Sequence, residues 1–144
     1  MIRLARVNEI LAVVELYRGY GRPPDHAIDL VELENRFDQI NRSGYVAVAV
    51  VGAAIVGTYS MYFCSNLAHG GRPFAIIENV IVASKARRQG IGRALMAHAQ
   101  QSARDKNCYK VMLATGAQHS QNIKFYGACG FVGNKVGFQV RYGA

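Results

Sequence analysis

The residues best suited to chemistry lie in "ASKARRQGIGRALMAHAQ", Ala83 to Gln100, where an apolar run gives way to an apparent helix. Glycine lets backbone N–H groups approach an anion closely, and a helix N-terminus carries partial positive charge. The N–H groups from Gln89 through Gly90, Ile91 and Gly92 to Arg93 can therefore surround a pyrophosphate, with Arg87 and Arg88 adding charge-assisted bonds. No GK[ST] follows, so this is not a P-loop, and the third glycine of the dinucleotide fingerprint is missing. The competing reading is a tight strand-to-helix connection with solvated arginines.

Two further places stand out. Glu78 interrupts the apolar run "AIIENVIV", and a charged residue there must face an open cleft or be expensively buried. Its bland alternative is an edge glutamate paired with a surface arginine. In "NIKFYGACGF", Asn122 and Tyr126 stand four apart on one face of a helix, although Phe125 and Tyr126 also suit a core.

These residues need a scaffold, and 144 residues suffice for one domain spanning 1–144. With 51% hydrophobic and 18% charged residues the chain can bury a real core. A net charge of +8 favours anionic partners: nucleic acid, an acidic membrane surface or a phosphorylated small molecule. Cys64, Cys108 and Cys129 are odd in number and lack a CxxC pair, which suggests reduced cytoplasmic thiols rather than a disulfide framework or a zinc site, so no metal is expected. "MIRLARVNEI" lacks the apolar core of a secretory signal. The run Val46 to Val56 breaks at Gly52, short of the ~20 residues a membrane helix needs, and a soluble protein without membrane association is expected.

"IRLAR" reads as a short strand, after which Asn8 caps a helix through Tyr17 that "GYGRPP" ends. Asp29 starts a second helix to about Ile40. Tyr45–Val51 and Ala54–Cys64 form a hairpin about Gly52, and Phe74–Val82 is the strand that feeds the arginine-rich bend. A helix from about Gly92 to Lys106, a buried strand Tyr109–Thr115, a short helix ended by Gly130 and a last strand Val136–Tyr142 follow. The expected class is α/β (α+β), in the order β-α-α-β-β-β-α-β-α-β, with helices flanking a mixed, mostly antiparallel sheet.

At Arg87, Gly90 and Gly92 the chain resembles the GNAT superfamily of acetyl-CoA-dependent N-acetyltransferases, whose signature is [RQ]-x-x-G-x-[GA]. The resemblance implies that the anion is the pyrophosphate of coenzyme A and that the pantetheine arm lies beside Val80, Ile81 and Val82. It extends to "NIKFYGACGF", where the family's asparagine, here Asn122, often bonds pantetheine and its tyrosine, here Tyr126, protonates the departing thiolate. Glu78 is then the candidate general base for an amine acceptor, directly or through a water, in a cleft opened by a strand splayed for pantetheine. From Ile76 to Tyr142 the chain is most similar to glucosamine-6-phosphate N-acetyltransferases. It departs from them in Glu78-Asn79, where they carry Glu-Asp, and in a longer "TGAQHSQ" connection. A homodimer is also implied, with the apolar final strand available to its interface.

Two other functions compete. A nucleic-acid binder fits the charge, but there is no RNA-recognition signature, zinc-finger spacing or long basic stripe, so no nucleic-acid partner is expected. An acyl-CoA-binding GNAT domain without turnover would share the fold. His69, His98 and His119 are less informative: His98 is expected part-exposed on its helix, the others in loops that could touch an acceptor.

Overall fold

The computed structural model describes residues 1–20 and 28–143, so most of the "GYGRPP" break lies outside the described residues. Two compact units are recognised, Met1–Leu113 and Ala114–Ala144.

In the first unit, strand β1 (Ile2–Leu4) leads through a 3-10 turn to helix α1 (Ile10–Arg18). The expected cap Asn8 lies inside that turn and no side chain caps α1; Glu9 instead closes the turn, accepting the N–H of Arg6 at 2.8 Å. The same carboxylate accepts two further bonds from the Arg3 guanidinium, at 2.6 and 2.9 Å. The Arg3 contact holds the Glu9 carboxyl down at about 2.

Helix α2 (Leu30–Ser43) starts where expected, with the Asp29 side chain accepting the N–H of Glu32. Strands β2 (Gly44–Val51) and β3 (Ala54–Cys64) pair antiparallel through a two-residue turn, for which Gly52 supplies φ +61°. Strand β4 (Phe74–Val82), helix α3 (Ile91–Asp105) and the short strand β5 (Lys110–Met112) complete the unit.

The sheet order is β1-β2-β3-β4-β5, antiparallel except for the parallel β4–β5 pair. Central β3 is buried on both faces. Val46 and Val48 pack with Val13 of α1 beneath Phe37 and Ile40 of α2. The other face carries Tyr45, Tyr59, Met61 and Ile77 toward α3, whose Leu95, Met96 and Ala99 are fully buried. No described helix is long and apolar enough to cross a membrane.

The second unit holds helix α4 (Ser120–Ala128). Its end at Gly130 follows the expectation: φ is +93°, Gly130 donates to the Gly127 carbonyl, and Phe131 donates to that of Tyr126 at 3.0 Å. The strand expected over Val136–Tyr142 is not formed, since residues 131–143 carry no regular element. Val136, Phe138, Val140 and Tyr142 alternate as a strand would, yet they are 76–94% exposed. Alternation prepares two faces, but a strand also needs a hydrogen-bonded neighbour, and none is paired to it among the described residues.

Candidate active site

The site is built on β4. Its register against β3 matches Ser60 with Glu78 and Thr58 with Ile81, so Tyr59 faces both Asn79 and Val80. This is a β-bulge, and Asn79 absorbs it with φ +55°, a left-handed conformation that asparagine tolerates better than most residues. Glu78 and Ile81, three apart, thereby point to the same face of the sheet, the one covered by α1 and α2. The pairing register with β3 is interrupted at Asn79 and Val80.

On its other edge β4 pairs with β5 only over Phe74–Ile76. From Ile77 onward this edge has no strand partner among the described residues. β5 is accordingly shorter than the expected Tyr109–Thr115. Glu78 lies along this unpaired stretch and is exposed. Regular alternation from Ile77 sets its face, and its neighbour across the pair, Ser60, is buried.

Beyond Val82 the chain turns through a 3-10 segment, Ser84–Ala86, tied back by the Ala83 N–H to the Val56 carbonyl at 2.8 Å. Arg88 and Gly90 then adopt φ +61° and +77°. Left-handed residues set into such a bend turn successive N–H groups inward, the arrangement that makes anion-binding concavities. Gly90 is the N-cap of α3 and gives no side-chain cap, no acidic residue lies in the first turn, and intrahelical bonding opens with the Ala94 N–H to the Gly90 carbonyl. Arg87, Arg88, Gln89 and Arg93 are exposed around this end, with Ile91 and Gly92 half-buried. The ion pairs among the described residues join Arg3–Glu9, Arg18–Glu15 and Arg36–Glu32, none of them at the bend.

A cleft of about 320 Å³ runs beside the bend. One wall is Ile81, Val82, Lys85 and Arg87, so three of the anticipated cofactor residues line one space. The opposite wall comes from the end of α1, with Glu15, Leu16, Gly19 and Tyr20. These four were not singled out from the sequence. Helical periodicity assigns Val14 and Tyr17 to the core face, and nothing in the pattern marks the adjoining face as a wall.

In the second unit, Asn122 and Tyr126 are half-buried on one face of α4. The Asn122 amide lies 3.4 Å from the Thr115 hydroxyl. The Tyr126 ring packs edge-on against Phe125 and Phe131, at 5.1 and 6.0 Å between centroids, so the glycine-terminated helix end fixes its orientation.

The model of the Acetyltransferase (GNAT) family matches residues 10–131. The glucosamine 6-phosphate N-acetyltransferase of Trypanosoma brucei brucei is 34% identical over 133 residues, 90% of this chain and 87% of that protein. Among solved structures, a protein of Agrobacterium tumefaciens str. C58 assigned as an acetyltransferase superposes with a TM-score of 0.90 at 35% identity, over 99% of both chains. The glucosamine-6-phosphate N-acetyltransferase of Arabidopsis thaliana shares the fold at 19% identity and a TM-score of 0.84, over 99% of this chain and 98% of that one. The bulged β4, the arginine-flanked bend and the match over 10–131 agree: the chain belongs to the GNAT family of acetyltransferases.

Proposed function

We propose that the protein transfers the acetyl group of acetyl-CoA to the primary amine of a small molecule, and that the acceptor is an amino sugar phosphate. The observation that carries this reading is the succession of a bulged strand, paired with β5 only as far as Ile76, and an open, arginine-flanked helix N-terminus. The pyrophosphate of coenzyme A sits on the N–H groups of Gln89 to Arg93 with Arg87 and Arg88 beside it. Pantetheine follows Val80, Ile81 and Val82, with Asn122 as a further partner. The sugar phosphate as acceptor is supported by the likeness to the trypanosomal enzyme.

In this reaction the amine nitrogen attacks the thioester carbonyl carbon. The Val80 N–H, at the bulge, polarises the carbonyl and holds the oxyanion. Glu78 takes the ammonium proton, directly or through a water, and its exposure on the face shared with Ile81 leaves it accessible to an acceptor. The C–S bond breaks, the thiolate takes the Tyr126 hydroxyl proton, and the amide and free coenzyme A leave.

The test is release of the coenzyme A thiol across a panel of amines: glucosamine 6-phosphate, glucosamine, polyamines, amino acids and aminoglycosides. The expected result is a preference for the phosphorylated sugar, with Tyr126→Phe lowering kcat by about 10- to 100-fold at little change in acetyl-CoA affinity. Preference for another amine would discard the sugar phosphate, and equal turnover by the variant would remove Tyr126 from the reaction.

The same reading includes a homodimer in which a second copy covers the C-terminal segment. Five large apolar side chains there, Val132, Val136, Phe138, Val140 and Tyr142, stand 76–94% exposed, and covering each contributes roughly 1.5–3 kcal/mol. Sedimentation equilibrium should find a dimer that Phe138→Asp converts to monomer; a monomeric wild type would overturn it.

A further inference from the structure

The core between the sheet and α3 contains one polar chain. The hydroxyls of Tyr45 on β2 and Tyr59 on β3 are 2.7 Å apart, and the Tyr59 hydroxyl lies 2.6 Å from Nδ1 of His98 on α3. Tyr59 is fully buried and Tyr45 nearly so, and the three rings meet edge-on. One proton arrangement uses every hydroxyl hydrogen: Tyr45 donates to Tyr59, and Tyr59 donates to a neutral His98. Were Nδ1 to carry a proton the chain would reverse, and the Tyr45 hydroxyl hydrogen would have no acceptor among the described residues. Burial also acts in this direction, raising the Tyr59 hydroxyl pKa and lowering that of the His98 imidazole.

The chain joins the two halves of the site. Tyr59 is the β3 residue that faces the Asn79–Val80 bulge, and His98 belongs to the helix whose N-terminus forms the bend. Two residues back on the same face of β3 is Gly57, where a Cβ would stand 3.2 Å from both Ile91 and Leu95. Ile91, Leu95 and His98 follow the i, i+4, i+7 spacing of one helix face. The first turns of α3 therefore rest on Gly57 by apolar contact and on Tyr59 by a hydrogen bond. Apolar contact is non-directional and permits sliding and rotation, whereas a short hydrogen bond fixes distance and angle.

We propose that Tyr59 and His98 are positioning residues that set the rotation of α3 relative to the β4 bulge, and so the spacing between the pyrophosphate donors and the thioester site. Neither touches the cosubstrate; they act through the helix and the strand. The proposal rests on the bend being the coenzyme A site.

The experiment is calorimetric titration of acetyl-CoA into wild type, Tyr59→Phe, His98→Leu and His98→Asn. Tyr59→Phe removes one oxygen from a packed ring. His98→Asn places an amide oxygen near the Nδ1 position, whereas leucine fills the space without an acceptor. Affinity is expected to fall about 3- to 10-fold in Tyr59→Phe and His98→Leu, and to stay within about twofold in His98→Asn. KM for acetyl-CoA should rise by the same factor while kcat changes less. If the wild type binds acetyl-CoA and the folded Tyr59→Phe and His98→Leu proteins bind it equally well, the positioning role is overturned. Should one variant fail to fold, the other decides against the asparagine control. A wild type that does not bind acetyl-CoA would instead overturn the reading of the bend, and this proposal with it.

Discussion

Helices α2 and α3 begin in opposite ways. At α2 the N-cap Asp29 has extended backbone, its carboxylate accepts the Glu32 N–H at 2.8 Å, and Glu32 itself adds negative charge at the third helical position. At α3 the N-cap is Gly90 in a left-handed conformation, nothing caps it from a side chain, and the third helical position is Arg93. Both ends carry the same partial positive charge and the same unfilled N–H groups. α2 supplies its own anion, whereas α3 surrounds its N–H groups with cations and supplies none. The contrast runs through the chain: seven of the nine acidic residues lie in the first 43 positions, and eleven of the seventeen lysines and arginines lie beyond them. The basic excess is thus concentrated in the part that holds the bend.

The strongest way to break this contrast is to make α3 resemble α2. Gly92 occupies the second helical position, so Gly92→Asp sets a carboxylate among the N–H groups proposed to hold pyrophosphate. Acetyl-CoA affinity should fall by at least about tenfold, equivalent to ~1.4 kcal/mol, measured by calorimetry. Stability should hold or rise slightly, because a carboxylate in a first helical turn interacts favourably with the helix dipole by roughly 0.3–1 kcal/mol. Loss of affinity without loss of stability is the signature of competition at an anion site. Unchanged affinity in the folded variant would mean that α3 does not hold the phosphates.

Why some of this was legible in the sequence and some was not follows from the range of the forces involved. Asp29, Gly90 and Gly130 mark helix ends because a cap or a left-handed turn is decided within a few residues, and the bounds of β4 follow from an apolar run broken only at Glu78 and Asn79. The bulge at Asn79 was not visible, since it exists only in the register against Tyr59, twenty residues earlier in the chain. His98 is part-exposed on its helix as expected, but its partners were not visible, because nothing local shows that two tyrosines from separate strands meet its ring. The α1 wall of the cleft was missed for the same reason. The final strand was overcalled, because alternation at Val136, Phe138, Val140 and Tyr142 records a preference for a sheet without identifying a neighbour. Glu78 stood out in the sequence as a charge within β4, while its exposure was not legible there.

The complementary substitution removes the anion that α2 supplies. Asp29→Ala deletes the acceptor of the Glu32 N–H, and replacing such a cap by alanine costs about 1 kcal/mol. In a domain of this size that lowers the melting temperature by roughly 3 °C. Glu32 would remain at the third position, but its ion pair with Arg36 is exposed and contributes little in compensation. Acetyl-CoA affinity should not change, because α2 packs on β2 and lines neither the cleft nor the bend. Thermal unfolding and calorimetry on this variant, beside Gly92→Asp, therefore separate a helix end that serves the fold from one that serves a ligand. The double variant should show both losses at full size, since the two sites share no partner and distant effects add. A fall in affinity from Asp29→Ala comparable to that from Gly92→Asp would mean that the two N-termini are not distinct in function, and that the open end of α3 is a feature of the turn rather than a binding device.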